Sequence, residues 1–158
     1  LLVKPRTHTR DGDHQVVSRI GLTYPCIYFD EMQQLTVMEL EQNACIIVDE
    51  AQFLTKAQVQ QLVHIVDELN VPVIAYGLRA DFRGEFFEGS QWLMCWADTI
   101  EEVKTICWCG KKALFNLILG KLFPDSGQIL LGGDSQYVSL CRKHWRQGEL
   151  GPYKELNL

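Results

Sequence analysis

Positive charge is what this sequence most lacks: 15 lysines and arginines face 20 aspartates and glutamates, giving a formal charge of −5 and a pI near 5.3. A surface built to follow phosphate backbones needs the opposite balance, which excludes nucleic acid as a default partner. Long apolar runs are missing too. The longest, at residues 45–48 and 92–96, fall far short of the roughly 20 residues that span a bilayer. No basic-then-apolar leader opens the chain, so a soluble, intracellular protein with no membrane partner is expected. Internal repeats and low-complexity tracts are absent. Six cysteines could form three disulfides, but Cys107 and Cys109 are one residue apart, and 158 residues with 47% hydrophobic side chains can bury a core without bridges. Reduced thiols, some holding metal, are the expectation. The first residues, Leu1-Leu2-Val3-Lys4-Pro5, read as a strand already under way, so an N-terminal portion is expected to be missing.

Residues 6–15 are polar and read as a loop, and residues 26–29 as a short strand. Asp30 is placed to cap a helix running to about Glu41, with Met32, Leu35, Val37, Met38 and Leu40 to bury. Ala44-Cys45-Ile46-Ile47-Val48 is an unbroken apolar run of the kind that lies buried on both faces of a parallel sheet, and it stops at Asp49-Glu50. Thr55 with Gln58 makes a capping box, after which Val59, Leu62, Val63, Val66 and Leu69 recur at helical spacing up to Asn70. A second apolar run, residues 71–75, follows at once. Strand, helix and strand in this order predict a βαβ crossover and an α/β fold with a parallel sheet. Ligands of such sheets sit beyond the carboxyl ends of the strands, where Asp49-Glu50 and the loop of residues 77–89 fall. From Cys107 the texture changes to short apolar pieces separated by glycines. The expected division is therefore an α/β core at residues 1–104 and a smaller unit at residues 105–158.

Cys107-Trp108-Cys109-Gly110 precedes Cys141-Arg142-Lys143-His144 with 31 residues between the two pairs. Three thiolates and an imidazole are the ligand set of a closed tetrahedral zinc site, and with all four positions filled by protein the zinc would be structural. C-x-C alone would read as ordinary buried thiols; joined to C-x-x-H it points to metal. An apolar strand ending in Asp-Glu is the Walker B arrangement, with the aspartate serving magnesium and the glutamate able to take a proton, although solvated acids also end many strands. Phe53, Phe82, Phe86, Phe87 and Tyr137 either line a pocket for a flat ring or pack the core. Arg79 and Arg83 are phosphate contacts or surface charges. Cys26, Cys45 and Cys95, among apolar neighbours, are assigned to packing.

Four segments in unbroken order carry a resemblance. They are Val48-Asp49-Glu50-Ala51-Gln52-Phe53-Leu54, Tyr76-Gly77-Leu78-Arg79-Ala80-Asp81-Phe82-Arg83-Gly84-Glu85-Phe86, Lys104-Thr105-Ile106-Cys107-Trp108-Cys109-Gly110, and Gly132-Gly133 leading to Tyr137-Val138-Ser139-Leu140-Cys141-Arg142-Lys143-His144. Together they resemble the zinc-containing type II thymidine kinases, in particular the enterobacterial branch. The resemblance implies a RecA-like P-loop NTPase core, here without its first strand and P-loop, and a zinc-binding lasso that closes over the nucleoside. It implies transfer of the γ-phosphate of magnesium ATP to the 5′-hydroxyl of thymidine, and of deoxyuridine, in nucleotide salvage. Glu50 matches the family's proton acceptor, and Asp49, Gln52 and Arg10 match positions on the ATP and magnesium side. Phe53, Leu78, Phe82, Phe87 and Tyr137 match residues around the nucleoside. Gln128, Ile129, Leu130, Leu131 and Gly132 match the stretch whose backbone binds the thymine edge. Homotetramers, feedback inhibition by TTP and a cytoplasmic location are further implications.

Two positions depart from the family pattern. The 158 residues contain no G-x-x-x-x-G-K-[ST] loop, so the chain as written is not expected to turn over alone. At His8-Thr9-Arg10 the family's aspartate is a histidine, which cannot serve magnesium as a carboxylate does. Two rival readings stand beside the kinase. One is a noncatalytic nucleoside-binding or zinc-based assembly module. The other takes Asp49-Glu50-Ala51-Gln52 as the D-E-A-x box of a helicase, against which the acidic balance and the single core argue.

Overall fold

The apolar runs become the strands of one parallel sheet. The computed structural model describes residues 1–7, 12–18, 20–118 and 137–155. By backbone proximity the chain parts into two units, Leu1–Arg79 with Phe87–Asp98, and Ala80–Phe86 with the chain from Thr99 onward.

The first unit contains β1 (Leu2–Lys4), β2 (Gln15–Val17), β3 (Thr23–Pro25), β4 (Ile27–Tyr28), α1 (Phe29–Met32), α2 (Val37–Glu41), β5 (Ile46–Val48), a 3-10 turn at Ala51–Phe53, α3 (Lys56–Leu69), β6 (Val73–Ala75) and α4 (Glu88–Trp96). Its sheet has the order β4-β1-β5-β6, with every neighbouring pair parallel, while β2 and β3 form a separate antiparallel pair. β5 and β6 are parallel neighbours joined through α3, the α/β arrangement expected. Val3, Ile46 and Val48 have no exposed surface and pack with Phe29, Met32, Leu54, Val59, Leu62 and Ile65. Lys4 is fully buried as well. Its ammonium donates to the carbonyls of Gly12 at 2.9 Å and Gln15 at 2.7 Å, which offsets the cost of taking a cation out of water.

Thr55 caps α3 as its sequence predicts: its hydroxyl accepts from the Gln58 N–H at 3.3 Å, and the Gln58 side chain accepts from the Thr55 N–H at 2.9 Å. Asn70 ends the helix in a left-handed turn at φ +53°. The single helix expected from Asp30 to Glu41 is instead two short ones. Thr36 and Glu39 form a capping box of their own, which restarts the helix and leaves residues 33–36 between α1 and α2. Asp30 is no cap; it lies in the first turn of α1 and pairs with Arg6 at 2.8 Å. The restart turns Val37 and Met38 outward, so of the five side chains expected to bury, only Met32 and Leu40 are enclosed and Leu35 packs in part. Cys26 is buried as expected, Cys45 half-buried, and Cys95 on α4 is exposed.

α4 packs on α3 and on the 3-10 turn. Gly89, in its first turn, makes this approach possible. A Cβ there would meet the Ala51 carbonyl and fall 2.8 Å from the Leu54 oxygen and 2.9 Å from the Gln52 oxygen, all rigid backbone. Gly89→Ala is therefore expected to destabilise the fold by about 1–3 kcal/mol, read as a lower urea midpoint; an unchanged midpoint would contradict this packing.

The second unit contains β7 (Thr105–Ile106), β8 (Lys112–Ala113), β9 (Phe115–Ile118), β10 (Tyr137–Leu140), α5 (Arg142–Gln147) and a 3-10 turn at Gly151–Glu155. β7 pairs with β8 and β9 with β10, both antiparallel. Its small core joins Cys107, Ala113, Leu117, Val138, Leu140 and Cys141, with Trp145 and Leu150 against them. Two of those six buried residues are thiols, which leaves little aliphatic mass to hold the unit.

Candidate functional site

Three strand ends position the candidate residues of the first unit. Val3, Val48 and Ala75 stand side by side in the register of β1, β5 and β6, so the residues that follow Val48 and Ala75 emerge at the same carboxyl edge. Pairing continues past the strands: Asp49 N–H donates to the Val3 carbonyl at 2.9 Å, Tyr76 N–H to Val48 at 2.8 Å and Ala51 N–H to Tyr76 at 2.8 Å. Asp49 and Glu50 are half-buried there. Glu50 holds φ +52°, a left-handed conformation that costs a residue with a Cβ on the order of 1 kcal/mol or more.

Gln52, two residues on, is buried, with its amide donating to the Glu50 carboxylate and accepting from the Leu78 N–H. The Leu78 carbonyl accepts from the buried Ser90 hydroxyl at 2.6 Å. Leu78 is thus held by its main chain on both sides while its side chain stays exposed. Phe53 and Phe87 meet edge to face, 5.5 Å between ring centres, with Phe87 buried. The first unit therefore brings together Asp49, Glu50, Gln52, Phe53, Leu78 and Phe87 of the predicted residues.

Phe82 and Tyr137 belong to the second unit, and Phe82 is buried. Phe82 rides on a turn built by Asp81, whose carboxylate accepts from the N–H groups of Arg83 and Glu85, each at 2.9 Å, and from the Arg83 guanidinium at 3.1 Å. The Trp145 indole N–H donates to the Phe82 carbonyl at 2.9 Å, and its ring stacks on Phe115 with centres 4.4 Å apart. Gly84 lies under that ring at φ +83°, where a Cβ would come within 2.9 Å of it. Arg10, and the stretch Gln128, Ile129, Leu130, Leu131 and Gly132, lie outside the described residues, as does His8.

The second unit also gathers all four predicted metal ligands. The ligand atoms of Cys107, Cys109, Cys141 and His144 lie within 4.8 Å of one another, and they are the one such group among the described residues. Cys109 and Cys141 sulfurs are 3.9 Å apart, and the Cys107 sulfur is 3.4 Å from His144 Nδ1. Bonds of about 2.3 Å to sulfur and 2.0–2.1 Å to nitrogen at tetrahedral angles require edges of about 3.8 Å and 3.5 Å, so the donor set fits zinc. The backbone supports this. A turn from Cys107 to Lys111, closed by Cys107 N–H to the Lys111 carbonyl at 2.8 Å, passes through Gly110 at φ +82°. Cys141 sits at the N-cap of α5, where the His144 N–H, and then a Cys109 thiol, hold its thiol below the usual range against the effect of burial. At Cys109 the Lys111 N–H pulls the same way but is outweighed by burial and the neighbouring thiols, so that thiol is raised. His144 is clamped flat against Trp108, ring centres 4.3 Å apart and planes 7° from parallel, with Glu149 Oε2 3.8 Å from Nε2.

Sequence reasoning did not single out Ser90 or Trp145 and missed the function of Asp81. Asp81 carries a readable signal, an aspartate three residues before a glycine in a turn. Ser90 and Trp145 act through the main chain of distant residues, which no local pattern announces.

A family model described as Thymidine kinase matches residues 1–145. A thymidine kinase of Legionella pneumophila (strain Paris) is 44% identical over 160 residues, covering 96% of this chain and 77% of that protein. One of Pasteurella multocida (strain Pm70) is 49% identical over 146 residues, 87% of this chain and 76% of its own length. One of Escherichia coli O157:H7 is 47% identical over 146 residues, 87% of this chain and 71% of its own.

Proposed function

Since the chain belongs to the thymidine kinase family, its reaction is transfer of a phosphate from ATP to thymidine, and we propose that Glu50 is the group that takes the nucleoside's proton. The supporting observation is the shared carboxyl edge of β5 and β6, which holds the Glu50 carboxylate and the exposed Leu78 side chain on hydrogen-bonded neighbouring loops. As the 5′-oxygen attacks the γ-phosphorus, its proton passes to Glu50, the bond from phosphorus to the β–γ bridging oxygen breaks, and ADP leaves. Asp49 and Arg10 serve the ATP side in this reading. Magnesium, when bound, neutralises the charge that gathers on the phosphates. Phe53, Leu78, Phe82, Phe87 and Tyr137 enclose the nucleoside, deoxyuridine being a second substrate, and the backbone of residues 128–132 reads the base edge. Steady-state kinetics of Glu50→Gln in the full-length enzyme tests the assignment: lost turnover with nucleoside binding kept supports it, and unchanged turnover overturns it.

In the same reading Cys107, Cys109, Cys141 and His144 hold one structural zinc, and the chain from residue 105 is the lasso that excludes water from the γ-phosphate. Trp145 then ties the Phe82 turn to the helix that carries His144. Trp145→Phe keeps the stack on Phe115 but removes the N–H donated to Phe82. Thymidine binding is expected to weaken by about 1 kcal/mol, roughly fivefold, with zinc content unchanged. Equal affinity by calorimetry would contradict this role.

Self-association as a homotetramer fits the apolar side chains that the first unit leaves exposed, Ile74 on β6, which ends the sheet among the described residues, Tyr76 just after it, and Met94 and Trp96 on α4. TTP, which carries the nucleoside and phosphates in one molecule, suits the same site as a feedback inhibitor. Six unbridged cysteines suit a reducing cytoplasm. Among the described residues no helix is long and apolar enough to cross a membrane. The noncatalytic reading is not favoured by a family match that runs across residues 1–145.

A further inference from the structure

Gln52 is 2% exposed, and both ends of its amide have partners. The Leu78 N–H donates to Oε1 at 3.1 Å. Because a backbone N–H can only donate, that contact fixes which way the amide points. Nε2 then faces the Glu50 carboxylate, a group that, ionised, can only accept, and donates to it. Gly77 closes the space behind. A Cβ at position 77 would fall 2.6 Å from Oε1 and 2.9 Å from the Gln52 backbone nitrogen, so a side chain there displaces the amide or the turn beneath it. The amide therefore bridges the loop after β5 and the loop after β6, with a carboxylate held on one and the Leu78 main chain on the other. Glutamine suits this place: it supplies one donor and one acceptor, and it brings no charge to compete for the proton that Glu50 must take.

We propose that Gln52 is a positioning residue for phosphoryl transfer, its N–H aiming the Glu50 carboxylate and its carbonyl fixing Leu78, so that base and nucleoside wall keep a set spacing. Its service to the ATP side runs through Glu50. The inference rests on Glu50 being the proton acceptor.

The test uses Gln52→Met, Gly77→Ala, Glu50→Gln and the Glu50→Gln/Gln52→Met pair in the full-length enzyme, with kcat from steady-state kinetics and thymidine Kd from calorimetry. Methionine keeps the bulk and removes both hydrogen bonds. Gln52→Met is expected to lower kcat roughly 10- to 100-fold with Kd changed less than about threefold, the pattern of a misaimed group in a formed site. Gly77→Ala is expected to fall in the same direction. In the pair, the Gln52 change is expected to cost far less than it does alone, because there is no base left to aim and only the hold on Leu78 remains to be lost. If Gln52→Met keeps kcat within about twofold, or its loss multiplies with that of Glu50→Gln, the positioning role is overturned while Glu50 stands. If Glu50→Gln alone retains turnover, the reading of Glu50 fails first, and the inference with it. Should Gln52→Met not fold, Gln52→Glu, which keeps the acceptor for Leu78 but replaces the donor with a second carboxylate, carries the same expectations.

Discussion

Replacing Glu50 with glutamine in the full-length enzyme is expected to lower kcat about 100-fold or more, the usual range for a lost general base. The substitution is nearly isosteric. Glutamine at position 50 adopts the left-handed backbone at about the cost glutamate already bears, and its amide oxygen still accepts from Gln52, so the loop is expected to keep its shape. What it loses is basicity. An amide cannot hold the proton of the attacking hydroxyl, so the barrier rises at the chemical step and not at binding. Thymidine affinity is expected to stay within about threefold, which separates loss of chemistry from loss of the site. A variant with wild-type kcat would remove Glu50 from the mechanism.

Cys141→Ser is expected to have the larger structural effect. The second unit encloses few aliphatic side chains, and two of its six buried core residues, Cys107 and Cys141, belong to the Cys3His group whose geometry fits a metal. A metal bridging residues 107–109 to 141–144 closes a long loop, and the binding free energy of such a centre becomes folding free energy. Serine offers zinc a weak, protonated oxygen in place of a thiolate. The variant is expected to fall from about one equivalent of zinc to a small fraction of one, and the segments from β7 to α5 to lose protection from amide exchange. A strong chelator should do the same to the parent protein, while the aliphatic core of the first unit, Val3, Ile46, Val48, Val59, Leu62 and Ile65, holds without metal. Parent protein purified without zinc, or Cys141→Ser that keeps a full equivalent, would contradict the assignment.

The parts of this molecule legible in the sequence are those in which local chemistry and global fold agree. The run Ile46-Ile47-Val48 is apolar at every position, as suits a strand covered on both faces of a parallel sheet, and Thr55 with Gln58 names its own helix start. The Cys3His group announces itself because metal chemistry admits few residue types. The single helix from Asp30 to Glu41 failed where a second capping box, Thr36 with Glu39, competed with the apolar pattern. Helix α4 went unforeseen because Gly89 lowers helix propensity where it permits close packing on the turn at Ala51–Phe53. The hydrogen bond from the Leu78 N–H to Gln52 depends on the register of β5 with β6, which no linear pattern contains. Trp145 holding Phe82 spans 63 residues and is equally invisible in one dimension.

The most direct test of the account is transfer of labelled γ-phosphate from ATP to nucleoside by the full-length enzyme, with the product separated from inorganic phosphate and the labelled oxygen identified. Label is expected on the 5′-oxygen of thymidine and of deoxyuridine, dependent on Glu50. Label appearing only in inorganic phosphate, or on nucleoside equally well in Glu50→Gln, would contradict it.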